Sequence, residues 1–376
     1  MVETIANKRQ RLLPAPVTHI PFDLVVEILC RLPVKFLLQF RCVCKSWNSL
    51  ISKDQKFFKK HLLLSTKRKH LVTSSLHSSR KELSVMSYSI DSIFTSETAT
   101  QLDYSPINTD CMDRLIASCD GLICFAIDTH LAVTWNPSIR KLKKLPTLEL
   151  PPKKFGFTRY AFGYDPFIHN YKVVSVFCYD FKYDGIDTKY DCKTQVKVHI
   201  LGTHSWRRIK DFPALFPHYR PGIIVNGTVN WFAYSNVVSR GNFSSVIVSL
   251  DLEKECYQEI QQPNYGIIDK LTLGMMRDCL CVFANSYSFI DVWLMKEYGN
   301  KESWVKFIHV PYFGGFRITK ILYVFEDDGH MLLAFMQNGK RGMAAYNSKN
   351  DTIKKFKMQD WSSVESTVYV ESLISP

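Results

Sequence analysis

A repeat of about 50 residues runs through most of the chain and limits the folds that the chain can adopt. Runs rich in β-branched and aromatic residues begin at intervals of 51, 50, 58, 50 and 52 residues, at Leu71, Leu122, Lys172, Asn230, Leu280 and Leu332. Later in most units an aromatic residue precedes a basic or polar run, as at Trp135, Trp206 and Trp304. A period of about 50 residues with four short strands is typical of a β-propeller blade. The sequence therefore predicts an all-β propeller of six kelch-like blades over residues 65–376.

Turn dipeptides separate the predicted strands. Asp-Gly and Asn-Gly pairs favour tight hairpins because both residues reach positive φ easily. They occur at Asp120-Gly121, Asp184-Gly185, Asn226-Gly227, Asp328-Gly329 and Asn338-Gly339. The last apolar run, residues 368–373, lies beyond the sixth unit. We expect it to form a strand that pairs into the first blade and closes the ring, because closure leaves no exposed sheet edge.

Residues 17–64 have a helical pattern instead. Leu24, Ile28 and Leu32 recur at the spacing of one helix face, and Pro33 ends that helix. Two more short helices follow, so we predict three. So small a unit cannot bury all its apolar side chains. We therefore expect Leu29, Leu32, Leu37 and Trp47 to be left uncovered for another protein, the alternative being that they dock on the rest of this chain.

The positive charge is concentrated near the N-terminus. Residues 1–69 hold 14 Lys and Arg against four acidic residues, which is +10 of the total +13. A nucleic-acid-binding protein is expected to carry its basic excess on the large domain, so we expect no nucleic-acid partner. The excess favours an acidic protein partner, or a nuclear-import segment at residues 8–11 in a flexible basic stretch, 1–16. A solvated helix face explains it equally well.

Several classes of protein are disfavoured by what the sequence does not contain. No apolar run approaches the roughly 20 residues of a membrane-spanning helix, and the N-terminus has no apolar segment of a secretory signal. We therefore expect no membrane partner, a cytoplasmic or nuclear location, and reduced thiols for the eleven cysteines. The two C-x-C pairs do not have zinc-site spacing. Because no hydrolase, zinc-protease, P-loop or dinucleotide motif is found, we expect no catalytic residue, metal or cofactor, and thus no enzyme.

The run from Ile20 to Trp47 contains a Leu-Pro-Val-Lys turn, paired leucines, Arg41 and a Val-Cys-Lys segment, in that order. In this order and spacing it resembles a plant-type F-box. The resemblance implies docking on the Skp-type adaptor of a cullin–RING ubiquitin ligase and, through it, on the cullin and RING subunits. Adaptors of this family are acidic, which suits the basic excess. The residues implied to form or support the adaptor face are Pro21, Leu24, Ile28, Leu29, Leu32, Pro33, Leu37, Leu38, Val43 and Trp47.

The larger region resembles the F-box-associated, kelch-like domain of plants. The resemblance is carried by Asp120-Gly121-Leu122-Ile123-Cys124, Trp135-Asn136-Pro137-Ser138-Ile139-Arg140-Lys141, Phe162-Gly163-Tyr164-Asp165, Asn226-Gly227-Thr228-Val229-Asn230-Trp231 and Tyr369-Val370-Glu371-Ser372-Leu373. The double-glycine signature of true kelch repeats is missing from most units. The implied boundaries are an F-box at 17–64 and an F-box-associated propeller at 65–376. The pollen S-locus F-box proteins, which recognise S-RNase, belong to the same family and are not separated from other members by these residues.

Two functions from different classes remain open at this point. The first is a substrate-recognition subunit of an SCF-type ubiquitin ligase, in which the F-box holds the adaptor and the propeller holds a target protein for ubiquitination and degradation. The second is a carbohydrate-binding or enzymatic propeller without a ligase role. The target is unknown. For its binding we single out the aromatic residues of the longest insertion, which alternate with charged ones and which we expect to lie in a loop: Tyr179, Phe181, Tyr183 and Tyr190.

Overall fold

The computed structural model describes most of the chain, with short gaps. The described residues are 20–65, 68–77, 82–93, 100–102, 114–151, 155–184, 189–239, 242–312, 315–325, 329–338, 340–356 and 364–376. The predicted flexible stretch 1–16 therefore lies outside them, as do Gly185, Asp328 and Gly339 of three predicted turns.

The N-terminal region is a group of four α-helices, not the three that the sequence pattern predicts. They are α1 (Phe22–Leu29), α2 (Val34–Phe40), α3 (Lys45–Lys53) and α4 (Gln55–Ser65). Pro21 and Pro33 directly precede α1 and α2, where a missing N–H costs nothing. The added helix α4 begins where the Asp54 carboxylate accepts a hydrogen bond from the Phe57 N–H at 2.9 Å. We call α1–α4 the helical module.

The remainder forms six antiparallel sheets, which we number as blades 1 to 6. Blade 1 contains β1 (Lys69–His77), β2 (Glu82–Ser89), β3 (Thr100–Gln101) and the last strand of the chain, β25 (Val364–Val370). Blade 2 contains β4 (Arg114–Cys119), β5 (Leu122–Ala126), β6 (Ala132–Asn136) and β7 (Lys141–Lys144). Blade 3 contains β8 (Gly156–Asp165), β9 (Asn170–Asp184), β10 (Lys189–Ile200) and β11 (Arg207–Arg208).

The other three blades follow the same pattern. Blade 4 contains β12 (Phe216–Pro217), β13 (Ile223–Val225), β14 (Thr228–Ser239), β15 (Asn242–Asp251) and β16 (Tyr257–Ile260). Blade 5 contains β17 (Lys270–Met276), β18 (Cys279–Asn285), β19 (Phe289–Met295) and β20 (Trp304–Pro311), with a 3₁₀ turn at Lys301–Ser303. Blade 6 contains β21 (Arg317–Val324), β22 (His330–Gln337), β23 (Lys340–Asn347) and β24 (Thr352–Phe356). The six-bladed prediction is confirmed.

The chain closes the ring by a strand paired into blade 1, as the sequence predicts, but the strand begins earlier than the predicted run and residues 371–373 lie beyond it. Strand β25 pairs antiparallel with β1, with Val370 opposite Lys69 and Val364 opposite Ser75. It occupies the first position of blade 1, which the first strand of the unit occupies in the other blades. Each of the six predicted repeat starts falls in the second strand of its blade. The two ends of the propeller domain are therefore joined through one sheet.

Each blade packs on the next through its own buried cluster. Leu71 and Tyr88 of blade 1 share a cluster with Leu332 and Met343 of blade 6, so the apolar packing crosses the closure. The other five boundaries have clusters of the same kind. The hydrophobic core is thus distributed around the ring, because each blade buries its two faces against the neighbouring blades.

The propeller has two faces, which the strand order defines. We call the lower face the one that carries the turns between the first and second strands of each blade, such as Asp120-Gly121 and Asn226-Gly227. Both residues of these two turns have positive φ, as the sequence predicts. The upper face carries the tips between the second and third strands and the connections from blade to blade. Residue 68 enters β1 and residue 371 leaves β25 at the lower face, so the helical module lies on that side.

Candidate functional site

The helical module has a small core of its own. Leu29, Leu37, Leu50, Phe57 and Phe58 are buried in one cluster. Two of these come from α4, whose buried residues Phe57, Phe58, His61 and Ser65 recur at helical spacing. That spacing, with Asp54 before it, was the available sequence signal for the fourth helix. Because α4 covers the other helices, Leu29 and Leu37 are not uncovered, which corrects the expectation that they lie at a bare surface.

The residues predicted for adaptor binding divide into three groups by exposure. Pro21, Leu24, Ile28 and Val43 are exposed, Leu32, Pro33, Leu38 and Trp47 are partly buried, and Leu29 and Leu37 are buried. The last two therefore hold the helices in place beneath the surface. Trp47 packs its ring edge-on to Phe40, with 5.7 Å between centroids. Ile20, Phe22 and Phe36 are also exposed, and the prediction omitted them.

Exposed apolar side chains are concentrated in this module. Of the seventeen exposed large hydrophobic residues among the described ones, eight lie in residues 20–64, although these are a small fraction of the described chain. Single exposed apolar residues are ordinary, but a high local density marks an interaction surface. We call Ile20, Phe22, Leu24, Ile28, Phe36 and Val43 the helical apolar surface. Exposed basic residues flank it, including Lys35, Arg41 and Lys45.

The helical module is fixed to the propeller through the C-terminal segment. Leu373 belongs to the module's buried cluster, and Ile139 of blade 2 packs against it. Glu371 accepts a hydrogen bond from the Val34 N–H at 3.2 Å, at the start of α2. Its other contacts are Arg68, 3.6 Å away, and His70, 3.5 Å away. Burial raises the pKa of Glu371, but the hydrogen bonds from His70 and Val34 and the charge of Arg68 outweigh it and lower the pKa below its ordinary value.

A second set of hydrogen bonds joins α4 to the loop before α2. The Nε2–H of His61 donates to the Leu32 carbonyl at 2.9 Å, and Arg68 donates to the carbonyls of Arg31 at 3.0 Å and Leu32 at 3.3 Å. Arg68 also donates to the Ser65 hydroxyl at 2.7 Å. Burial lowers the pKa of His61, and the nearby charge of Arg68 lowers it further, which favours the neutral form of the ring. These hydrogen bonds therefore hold Ser65, at the end of α4, and Arg68, before β1, near the loop that precedes α2.

The tail after β25 is also anchored to blade 2. The Asn136 side-chain amide donates to the carbonyls of Ser372 at 3.1 Å and Ile374 at 2.7 Å, and it is fully buried. A Cβ at Gly121 would lie 2.3 Å from the Ser372 hydroxyl, so only glycine fits there. The Asp120-Gly121 turn and the Trp135-Asn136 segment thus form the surface on which the C-terminal tail packs. The tail in turn supports the helical module.

The predicted target-binding insertion is a long hairpin, not a loop. Strands β9 and β10 remain paired to Asp184 and Lys189, and Tyr183 lies opposite Tyr190. Tyr179 stacks on the buried Phe177 at 5.3 Å between centroids, whereas Phe181 is 45% exposed. The side chains of Tyr183 and Tyr190 lie outside the described part of the structure. Their role in target binding, like that of Tyr179 and Phe181, stays a prediction.

The described residues contain little that suggests chemistry. No group of three or more His, Cys, Asp or Glu is placed to hold a metal ion within them. Ten cysteines are described and all are free; Cys30, Cys124, Cys178 and Cys281 are buried, whereas Cys42, Cys44 and Cys256 are exposed. Among the described helices none is long and apolar enough to cross a membrane.

The chain thus combines a module of short helices, which has an exposed apolar surface, with a six-bladed propeller. This combination defines a class of protein, and each of its two parts matches a family model. The F-box domain model matches residues 17–59, and the model of the F-box associated beta propeller domain matches residues 70–376. The second match covers most of the chain. The chain therefore belongs to the F-box proteins that carry an F-box-associated β-propeller, and the family resemblance is confirmed.

Curated relatives agree with this assignment. The chain is 30% identical over 381 residues to an F-box/kelch-repeat protein of Arabidopsis thaliana, which covers 95% of this chain and 96% of that one. It is 31% identical to F-box protein CPR1 of the same plant over 76% of this chain and 72% of that one. Among solved structures, a chain of a nidogen/laminin complex matches with 9% identity and a TM-score of 0.47, over 81% of this chain and 98% of that chain. Family membership supports, in general terms, a substrate-recognition role in SCF-type ubiquitin ligases through an F-box that binds a Skp-type adaptor.

Proposed function

We propose that this protein is a non-catalytic substrate receptor of an SCF-type ubiquitin ligase: the helical apolar surface binds the Skp-type adaptor, and the propeller holds a target protein for ubiquitination. The observation that carries the proposal is the density of exposed apolar side chains in the helical module, where Leu24 and Ile28 are each more than half exposed. In a free chain such side chains stay in contact with water, and their burial against a partner favours binding.

The position of the helical module supports separate roles for the module in adaptor binding and for the propeller in target binding. Its connection to the propeller is tied by Glu371, Arg68 and Asn136, so a bound adaptor would have a defined position relative to the blades. A receptor of this kind needs no nucleophile of its own. It raises the effective concentration of the target near the ubiquitin carrier bound elsewhere in the complex.

The test is to measure adaptor binding by variants of the exposed residues. Leu24→Asp with Ile28→Asp should weaken binding of a purified Skp-type adaptor at least about a hundredfold, since two apolar side chains together lose roughly 3 kcal/mol of burial. Ile267→Asp, at an even more exposed apolar residue of the propeller, is the control and should bind normally. Calorimetry gives the affinities and circular dichroism verifies folding. Unchanged affinity in the double variant would refute the proposal.

A further inference from the structure

The upper face of the propeller carries exposed apolar side chains over three consecutive blades. Phe155 lies just before β8 and Ile267 lies between blades 4 and 5; each is 96% exposed. Tyr287, at the tip between β18 and β19, is 84% exposed. Phe181, near the β9–β10 tip of blade 3, is also exposed on this face, and Tyr219, in the break between β12 and β13 of blade 4, is exposed beside Lys270 at the upper end of β17. This surface lies on the side of the ring opposite to the helical module.

An aromatic ladder connects blades 3 and 4 beneath this surface. Phe181 stacks on Phe157 with 5.4 Å between centroids and meets Phe216 edge-on at 5.7 Å. Phe216 contacts Tyr234 at 5.1 Å, and Tyr234 stacks on His218 at 4.1 Å. The hairpin that carries Phe181 is therefore supported by blade 4. Its exposed ring lies at one end of a row of ring contacts that reaches His218.

The innermost strand of blade 4 is interrupted at the end of this ladder. Strands β12 and β13 both pair with β14, with Pro217 opposite Ala233 and Ile223 opposite Asn230. Five residues, 218–222, thus lie against a stretch of β14 that contains only residues 231 and 232, so they bulge from the sheet, and Gly222 forms a bridge to Ala161 of β8. Bulges of this kind redirect side chains next to binding sites. Arg159 donates to the His218 carbonyl at 3.1 Å and fixes the start of the bulge.

Cationic side chains surround the exposed ring of the bulge. The Arg220 guanidinium and the Lys270 ammonium lie 5.1 and 5.2 Å from the centre of the Tyr219 ring. Burial raises the pKa of Tyr219, but hydrogen bonding by Lys270 and the charges of Arg220 and Lys270 outweigh it and lower the pKa. Two positive charges therefore lie next to this ring. A negatively charged group next to an apolar one would find complementary partners here.

We propose that Tyr219, Arg220 and Lys270, with the exposed rings Phe155 and Phe181, bind an acidic segment of a partner protein that also carries aromatic or aliphatic residues. We call these five residues the upper patch. The inference deepens the proposed function, since the occupant is a segment of the ubiquitination target. Apolar rings supply contact area, and the paired cations select acidic over basic segments. The adaptor, bound at the lower face, leaves the upper patch accessible.

The probe is a phage-displayed library of random twelve-residue peptides, selected on the immobilised full chain. The selected peptides should be enriched in Asp and Glu next to aromatic or aliphatic residues. Arg220→Glu with Lys270→Glu should weaken binding of a selected peptide at least tenfold. Tyr219→Ser, which removes the ring without changing charge, should weaken it several-fold. The matched control is Arg277→Glu with Lys296→Glu, which reverses two charges on the lower face of blade 5 and should leave the affinity unchanged.

Each other outcome overturns the inference. Peptides without acidic enrichment, or peptides that bind the Arg220/Lys270 variant as well as the wild type, would show that the upper patch is not the site. Binding of a single-stranded RNA with the same variant sensitivity, in the absence of acidic peptides, would assign the patch to nucleic acid. Concentration-dependent dimers abolished by the same variant would assign it to a second copy. Adaptor affinity, measured on the same samples, reports separately on the proposed function.

Discussion

At the residue scale, Gly121 is the clearest case of a position whose surroundings require one amino acid. Its φ is +83°, and a Cβ would lie 2.7 Å from the Val370 carbonyl oxygen. Gly202 has a φ of +90° but nothing within 4 Å of a Cβ. Both positions strain an L-residue, yet only Gly121 also has a steric conflict. The comparison separates backbone strain from close approach of the tail.

We expect Gly121→Ala to lower the free energy of unfolding by more than Gly202→Ala, which should cost about 1 kcal/mol for the positive φ alone. Urea denaturation of both variants measures the difference. The Gly121 variant should also lose hydrogen-exchange protection in residues 370–376, because the tail must move away from the turn. Equal losses in the free energy of unfolding for the two variants would contradict close packing of the tail on Gly121.

His218 gives the pH dependence that belongs to a single residue. Burial lowers the pKa of His218 to about 4 from an ordinary value of 6.5. The folded state therefore binds fewer protons than the unfolded state between these values, so the stability present above pH 6.5 is lost as the pH falls toward 4. In His218→Gln this loss should be smaller over the same range. Urea denaturation at several pH values measures it, and equal pH slopes for variant and wild type would refute the assignment.

At the scale of elements, the sequence predicts the strands and turns that depend on neighbouring residues alone. Period-two runs and Asp-Gly turns report the second strand of each blade because both depend on neighbouring residues. The interruption of the inner strand at residues 218–222 could not be predicted in this way, since it depends on contacts with β8 and β14. The residues of the helical module also divide into those whose exposure could be predicted from the sequence and those whose burial could not. Exposed Leu24 and Ile28 follow from helical spacing, whereas the burial of Leu29 and Leu37 depends on α4 and on Leu373.

Glu371 is the element-scale link between α2 and the propeller. We expect Glu371→Gln to weaken this link, because it removes the charge that Arg68 faces while keeping a group that can accept from the Val34 N–H. Hydrogen exchange in residues 31–40 should rise while the blades stay protected. Glu297→Gln, at an exposed carboxylate of blade 5, is the control. Unchanged exchange in residues 31–40 would show that the module is held by apolar packing alone.

At the scale of the whole molecule, the helical module and the upper patch lie on opposite sides of one ring. The lower face holds the helical module next to blades 1 and 2, through the C-terminal tail and Ile139. The upper face carries the upper patch over blades 3 and 4 and the neighbouring edge of blade 5. Since β25 both closes the ring and leads into the tail, ring closure and placement of the helical module depend on the same segment.

The most direct measurement is hydrogen–deuterium exchange of the full chain with and without a purified Skp-type adaptor. The account predicts that the adaptor slows exchange in α1, α2 and residues 41–44, where the helical apolar surface lies, and leaves the hairpin of β9 and β10 unchanged. Protection confined to the propeller, or no protection at all at saturating adaptor, would contradict the claim that the exposed side chains of the helical module are the docking surface.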